Sequence, residues 1–111
     1  MKRDIKKVIV LVTCATKEEA HKIAAHLLER KLAACVNIVN EIESFFWWQG
    51  KIDNAREFLL IAKSRVDKVE SIIKSVKSLH SYEVPEIIAL PIIAGSKDYL
   101  EWLDGSVAGC D

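Results

Sequence analysis

Little in this chain points to an ordinary catalyst. Only four glycines occur in 111 residues, scattered at 50, 95, 105 and 109, so no glycine-rich loop is available to cradle a phosphate. The three cysteines, Cys14, Cys35 and Cys110, are widely spaced and odd in number. With no Cys-x-x-Cys, neither a zinc knuckle nor a thioredoxin-type redox pair is indicated. No local signature suggests a Ser-His-Asp or Cys-His-Asn arrangement, and the expectation is that the chain is not an enzyme. Charge of one sign is also missing: 16 basic residues balance 16 acidic ones. No net field therefore favours nucleic acid or an anionic membrane. No stretch approaches the ~20 apolar residues needed to span a bilayer. Met1-Lys2-Arg3 has the basic start of a signal peptide, but Asp4, Lys6 and Lys7 interrupt it and the apolar run from Val8 to Val12 is too short. A cytoplasmic single domain over residues 1–111 is expected, with its core at about 8–104 and a loose tail at 105–111.

What is present is a regular alternation of strands and helices. Val8 to Val12 is a β-branched run that reads as a central strand. Thr16 and Glu19 make a capping-box pattern. The helix after them places Ala20, Ile23, Ala24, Leu27 and Leu28 on one stripe. Cys35 to Phe46 reads as a long extended segment, Gly50 as a turn residue with positive φ, and Phe58 to Ala62 as the returning strand of a hairpin. A second helix from about Val66 to His80 buries Val69, Ile72, Ile73, Val76 and Leu79. Ile87 to Ile93 is a strand that Pro91 restricts to an edge or a bulge. Ser96 caps a short final helix with Tyr99, Leu100, Trp102 and Leu103. The order predicts an α+β fold: a ferredoxin-like βαββαβ sandwich with an antiparallel sheet, plus a C-terminal helix.

Four segments match one family in order and spacing. They are Lys31-Leu32-Ala33-Ala34-Cys35-Val36-Asn37, Trp47-Trp48-Gln49-Gly50-Lys51, His80-Ser81-Tyr82-Glu83-Val84-Pro85-Glu86-Ile87 and Tyr99-Leu100-Glu101-Trp102-Leu103. Together they resemble the CutA family of divalent-cation tolerance proteins over about Val8 to Asp104. The resemblance implies a PII-like homotrimer concerned with tolerance of divalent cations, copper above all. Two departures stand out. Asn40-Glu41 occupies the place of the family's frequent Pro-Gly, and His80-Ser81-Tyr82 that of His-Pro-Tyr. Some members are linked to copper through a first-strand Cys and two adjacent His. The matching positions here are Val12, Leu79 and His80, so only His80 is retained. Cys14, two residues beyond Val12, needs a different geometry to take part.

His80 is the leading metal candidate, because imidazole is the commonest metal ligand and the residue leaves a helix beside Tyr82 and Glu83. The competing reading has it extend the apolar stripe of its helix. Cys35 is a second, softer candidate ligand, or a packed strand thiol; whether it meets His80 depends on the fold. Copper or another divalent cation is the expected cofactor, bound weakly and not required for folding. An alternative function is a PII-like sensor that holds a small anionic ligand between subunits, through Lys63, Tyr82, Glu83 and Lys51. A purely structural trimeric module is a third. Glu57 and Lys63 share a strand face and could pair or hold Tyr82. His21 and His26 point roughly 140° apart on their helix and read as surface residues. Phe45, Phe46, Trp47 and Trp48 cannot all be buried by one domain of this size, so they are assigned to a trimer interface.

Overall fold

The computed structural model describes residues 6–107. The expectations for Met1-Lys2-Arg3 and Cys110 lie outside the described residues. The elements are β1 (Lys7–Cys14), α1 (Lys17–Glu29), β2 (Cys35–Trp48), β3 (Lys51–Arg65), α2 (Val69–Leu79), β4 (Ile87–Pro91) and α3 (Lys97–Val107). A 3₁₀ turn, Val66–Lys68, leads into α2. The strands form one antiparallel sheet in the order β2-β3-β1-β4, the expected ferredoxin-like arrangement. Pro91, which has no ladder donor, ends the edge strand β4.

Period-two alternation builds the core. Val8, Val10, Val12 and Cys14 oppose Ser64, Ala62, Leu60 and Phe58 and turn toward α1 and α2, which contribute the fully buried Ile23, Leu27, Ile72 and Val76. The buried Ser64 hydroxyl is satisfied by donating to the Leu32 carbonyl at 2.5 Å. The α1 stripe forms as read, except that Leu28 is 43% exposed, because 100° of rotation past Leu27 carries it off the buried face. His26 departs from its surface reading. It is half-buried, and its Nε2 lies 3.2 Å from Ser75 Oγ, linking α1 to α2. On the sheet's other face, Asp104 of α3 pairs with Lys7 at 3.2 Å and lies 4.0 Å from Arg65. Leu103 and Val107 of α3 are fully buried. Residues 105–107, expected to be loose, therefore complete a packed helix.

β2 and β3 continue well past Cys14, the end of β1, which pairs with Phe58. Their outer halves form a two-stranded arm. The arm closes on Gln49 and Gly50, with φ 49° and 79°, the paired positive values of a type I′ hairpin turn. Its base carries a bulge: the register slips between Val39 and Ile42, with Glu41 at φ 47°. Phe45, Phe46, Trp47 and Trp48 lie on this arm, between 38% and 73% exposed in the single chain.

Candidate metal site

α2 stops because His80 adopts an extended backbone (φ −83°, ψ 142°) while its N–H still reaches the Val76 carbonyl. That break turns the imidazole inward, and its side chain has no solvent exposure. Nε2 lies 2.7 Å from the Thr13 carbonyl oxygen, which can only accept, so Nε2 carries the proton. Nδ1 accepts the Tyr82 N–H at 3.0 Å. The Tyr82 ring stacks obliquely on the imidazole at 4.8 Å. Both ring nitrogens are thus in use.

Opposite Nδ1 stands Glu19, in the first turn of α1. Thr16 caps that helix through the Glu19 N–H at 3.1 Å. The carboxylate does not return to the cap as a capping box would have it. Instead Oε2 accepts the Ser81 N–H at 2.8 Å, while Oε1 lies 3.7 Å from His80 Nδ1. Oε1 is buried and has no hydrogen-bond partner, an expensive state for a carboxylate oxygen. Cys14, fully buried at the end of β1, completes the group. One ligand atom each from Cys14, Glu19 and His80 lies within 4.8 Å of the others. Burial pushes the Cys14 thiol up to about 12, and the nearby Glu19 and Glu57 carboxylates add to the shift. A thiol held this strongly in its protonated form is a poor nucleophile. A cation that neutralises the carboxylates would remove their share of that shift and leave the larger share, from burial, in place.

Beside this group, the buried Glu57 accepts the Tyr82 hydroxyl at 2.8 Å. Burial first, and then that bond, hold the phenol well above its ordinary value. Tyr82, Glu57 and Thr13 also line a groove of about 670 Å³, together with Phe45, Phe46, Trp47 and Trp48 of the aromatic arm. Asp53, Glu57, Glu83 and Glu86 line the groove, with no Lys, Arg or His among its lining residues.

The residues singled out in the sequence divide into those that converge and those that do not. His80, Tyr82 and Glu83 converge on this corner. Cys35 does not reach His80 within one chain. It opposes Lys63, which opposes Ile9, whereas His80 sits on Thr13, about 13 Å further along β1 at strand spacing. The Cys35 thiol instead faces Asn37. Lys63 donates to the Asn37 carboxamide and leaves Tyr82 to Glu57. Lys51 begins β3 at the arm's tip, roughly 40 Å of strand from Lys63, so the two lysines form no shared anion site in one chain. Cys14 shares a strand face with Val12, and this is the geometry that recruits it. Glu19 was hidden by its capping pattern, and no linear spacing joins positions 14, 19 and 80. Val12 is buried in the core and Leu79 packs against it.

The family model for the CutA1 divalent ion tolerance protein matches residues 8–106. The chain is 50% identical over 98 residues to the divalent-cation tolerance protein CutA of Archaeoglobus fulgidus, covering 88% of this chain and 95% of that one. It is 45% identical over 95 residues to the protein of the same name from Thermus thermophilus, covering 86% and 92%. Among solved structures, the A. fulgidus protein, described as a periplasmic divalent cation tolerance protein, superposes with a TM-score of 0.88 at 48% identity, covering 91% of this chain and 98% of that one. The T. thermophilus protein gives 0.86 at 44% identity, covering 87% and 94%. With the strand order, the tryptophan turn and the His80-to-Glu86 segment, these matches show that the chain belongs to the CutA family of divalent-cation tolerance proteins.

Proposed function

We propose that this chain acts as a homotrimer in the response to excess divalent metal, copper foremost. It binds the ion weakly at His80, in the cytoplasm, and it works by binding without catalysing a reaction. The observation that carries the reading is Glu19 Oε1, buried without a hydrogen-bond partner and 3.7 Å from an imidazole nitrogen. An anionic oxygen in that position is stabilised by a cation. The groove beside it supports the same sign of ligand, since its four carboxylates repel the small anion of the PII-like alternative. Weak affinity follows from the occupied ring nitrogens, because a ligand must first displace a hydrogen bond. Assembly is supported by the exposed aromatic arm.

Calorimetric titration of metal-free protein with copper(II), zinc(II) and a nucleotide panel tests the ligand, and light scattering tests the assembly. Metal binding that His80→Ala abolishes, in a particle three times the 12.5 kDa chain mass, is expected. Nucleotide binding with no metal response would replace this reading with the small-anion one.

A further inference from the structure

Resting on the reading that the protein binds metal, we propose that Cys14, Glu19 and His80 together form one buried site for a soft or borderline divalent ion, zinc- or copper-like, and that filling it displaces the Tyr82 N–H from His80. The first half follows from the donor set. A thiol, a carboxylate and an imidazole lie within 4.8 Å of one another, on three different elements: the end of β1, the first turn of α1 and the exit of α2. A tetrahedral ion with bonds of about 2.0–2.3 Å holds its ligands roughly 3.3–3.8 Å apart. Glu19 Oε1 and His80 Nδ1, 3.7 Å apart, already match that spacing, and the widest of the three separations needs to close by no more than about 1 Å, with water completing the shell. Sulfur in the set selects soft and borderline ions, while magnesium and calcium require more oxygen donors than this pocket offers. The Cys14 thiol gives up its proton to solvent as the metal–sulfur bond forms.

The second half follows from the ring. Nε2 faces the Thr13 carbonyl, and Nδ1 faces Glu19. Nδ1 is therefore the nitrogen available to an ion lying between the ring and Glu19, yet its lone pair already accepts the Tyr82 N–H. One lone pair cannot serve both. Occupation must free the Tyr82 amide and shift the backbone that follows Ser81. Tyr82, Glu83 and Glu86 on that backbone line the acidic groove, so the groove wall registers the ion.

The test uses the assembled protein carrying Cys35→Ser and Cys110→Ser, which leaves Cys14 as its single thiol. Cobalt(II) chloride is titrated near neutral pH. A thiolate-to-cobalt charge-transfer band saturating at one ion per chain is expected. Cys14→Ala should abolish the band, and Glu19→Gln should weaken binding at least about tenfold. Zinc should compete and magnesium should not. At saturation, hydrogen exchange at the Tyr82 amide should accelerate at least about tenfold. Cys14→Ser, compared by circular dichroism, guards against a folding defect in the alanine variant. Cobalt bound without the band, yet lost in His80→Ala, overturns this site and leaves the metal-binding reading standing. The absence of any binding of cobalt, zinc or copper overturns both. An unchanged Tyr82 amide at saturation overturns the coupling.

Discussion

Glu19 and His80 face each other across the junction of α1 and α2 with 3.7 Å between Oε1 and Nδ1, and no proton lies between them because Nδ1 accepts from Tyr82. The carboxylate's secured contact is to Ser81, through Oε2 at 2.8 Å. A glutamine keeps an oxygen for the Ser81 N–H, and its amide can donate toward Nδ1. An alanine leaves the Ser81 N–H without its partner. In denaturant unfolding of the metal-free protein, Glu19→Gln should lie within about 1 kcal/mol of wild type, and Glu19→Ala should lose about 1–2 kcal/mol. Equal losses would mean that the Ser81 bond does not hold this corner.

The Tyr82–Glu57 bond of 2.8 Å predicts an ordering. Glu57 is buried, so Tyr82→Phe removes the partner of a desolvated carboxylate and should cost about 2–3 kcal/mol. Glu57→Gln leaves the tyrosine an acceptor and should cost less. The pair Tyr82→Phe with Glu57→Gln should be less damaging than Tyr82→Phe alone, because the stranded charge is gone. A double variant that adds the two single losses would show the residues to be uncoupled.

Alkaline pH should weaken the fold through Cys14. Its thiol rises from an ordinary 9.0 to about 12, by burial first and then by Glu19 and Glu57. The folded chain therefore holds this proton more tightly than the unfolded one. The contribution is complete below about pH 9, and it is lost as pH climbs from 9 toward 12. Tyr82, also raised by burial and by Glu57, pushes in the same direction at the upper end. Urea midpoints measured across this window should fall in wild type and fall less steeply in Cys14→Ala. Parallel curves for the two proteins would remove Cys14 as the cause.

The layout of strands and helices was legible because Val8 to Val12, the α1 stripe and the α2 stripe each carry a clean period that one buried face enforces. Leu28 and residues 105–107 were misread where the period is weakest, at a stripe margin and in a small-residue stretch that packs only through Val107. The site was half legible. His80 stands out as an imidazole at a helix exit. Glu19 does not, because a capping box gives it a local explanation, and its actual partners are 61 and 62 positions away at His80 and Ser81. Cys35 looked like a ligand because its strand was visible, but register was not. Only the pairing of Cys35 with Lys63, and of Lys63 with Ile9, shows it to lie far from His80 along the sheet.

The bulge at the base of the arm offers a stabilising change. Glu41 sits at φ 47°, where a Cβ is strained and glycine is not. Its ion pair with Arg56, at 3.7 Å and exposed on both sides, contributes little. Glu41→Gly should leave the protein unchanged or raise its stability by up to about 1 kcal/mol, while Glu41→Val should lower it. A loss in the glycine variant would show that the ion pair outweighs the backbone strain.

Trp48 should link assembly to stability. It is the last residue of β2, opposite Lys51 at the closing turn, and it is 55% exposed in the single chain. Phe45, Phe46 and Trp47 stand beside it on an arm that β1 does not reach. A monomer presenting such a run in water would carry an aggregation-prone patch, whereas covering one ring contributes roughly 2–3 kcal/mol. In the proposed trimer each loss would be repeated at every equivalent contact, and dissociation would be coupled to unfolding. Trp48→Ala should therefore lower the melting temperature and shift light scattering toward the monomer together, with both effects growing on dilution. A variant that stays trimeric with an unchanged melting point would place Trp48 in solvent and move the interface elsewhere on the chain.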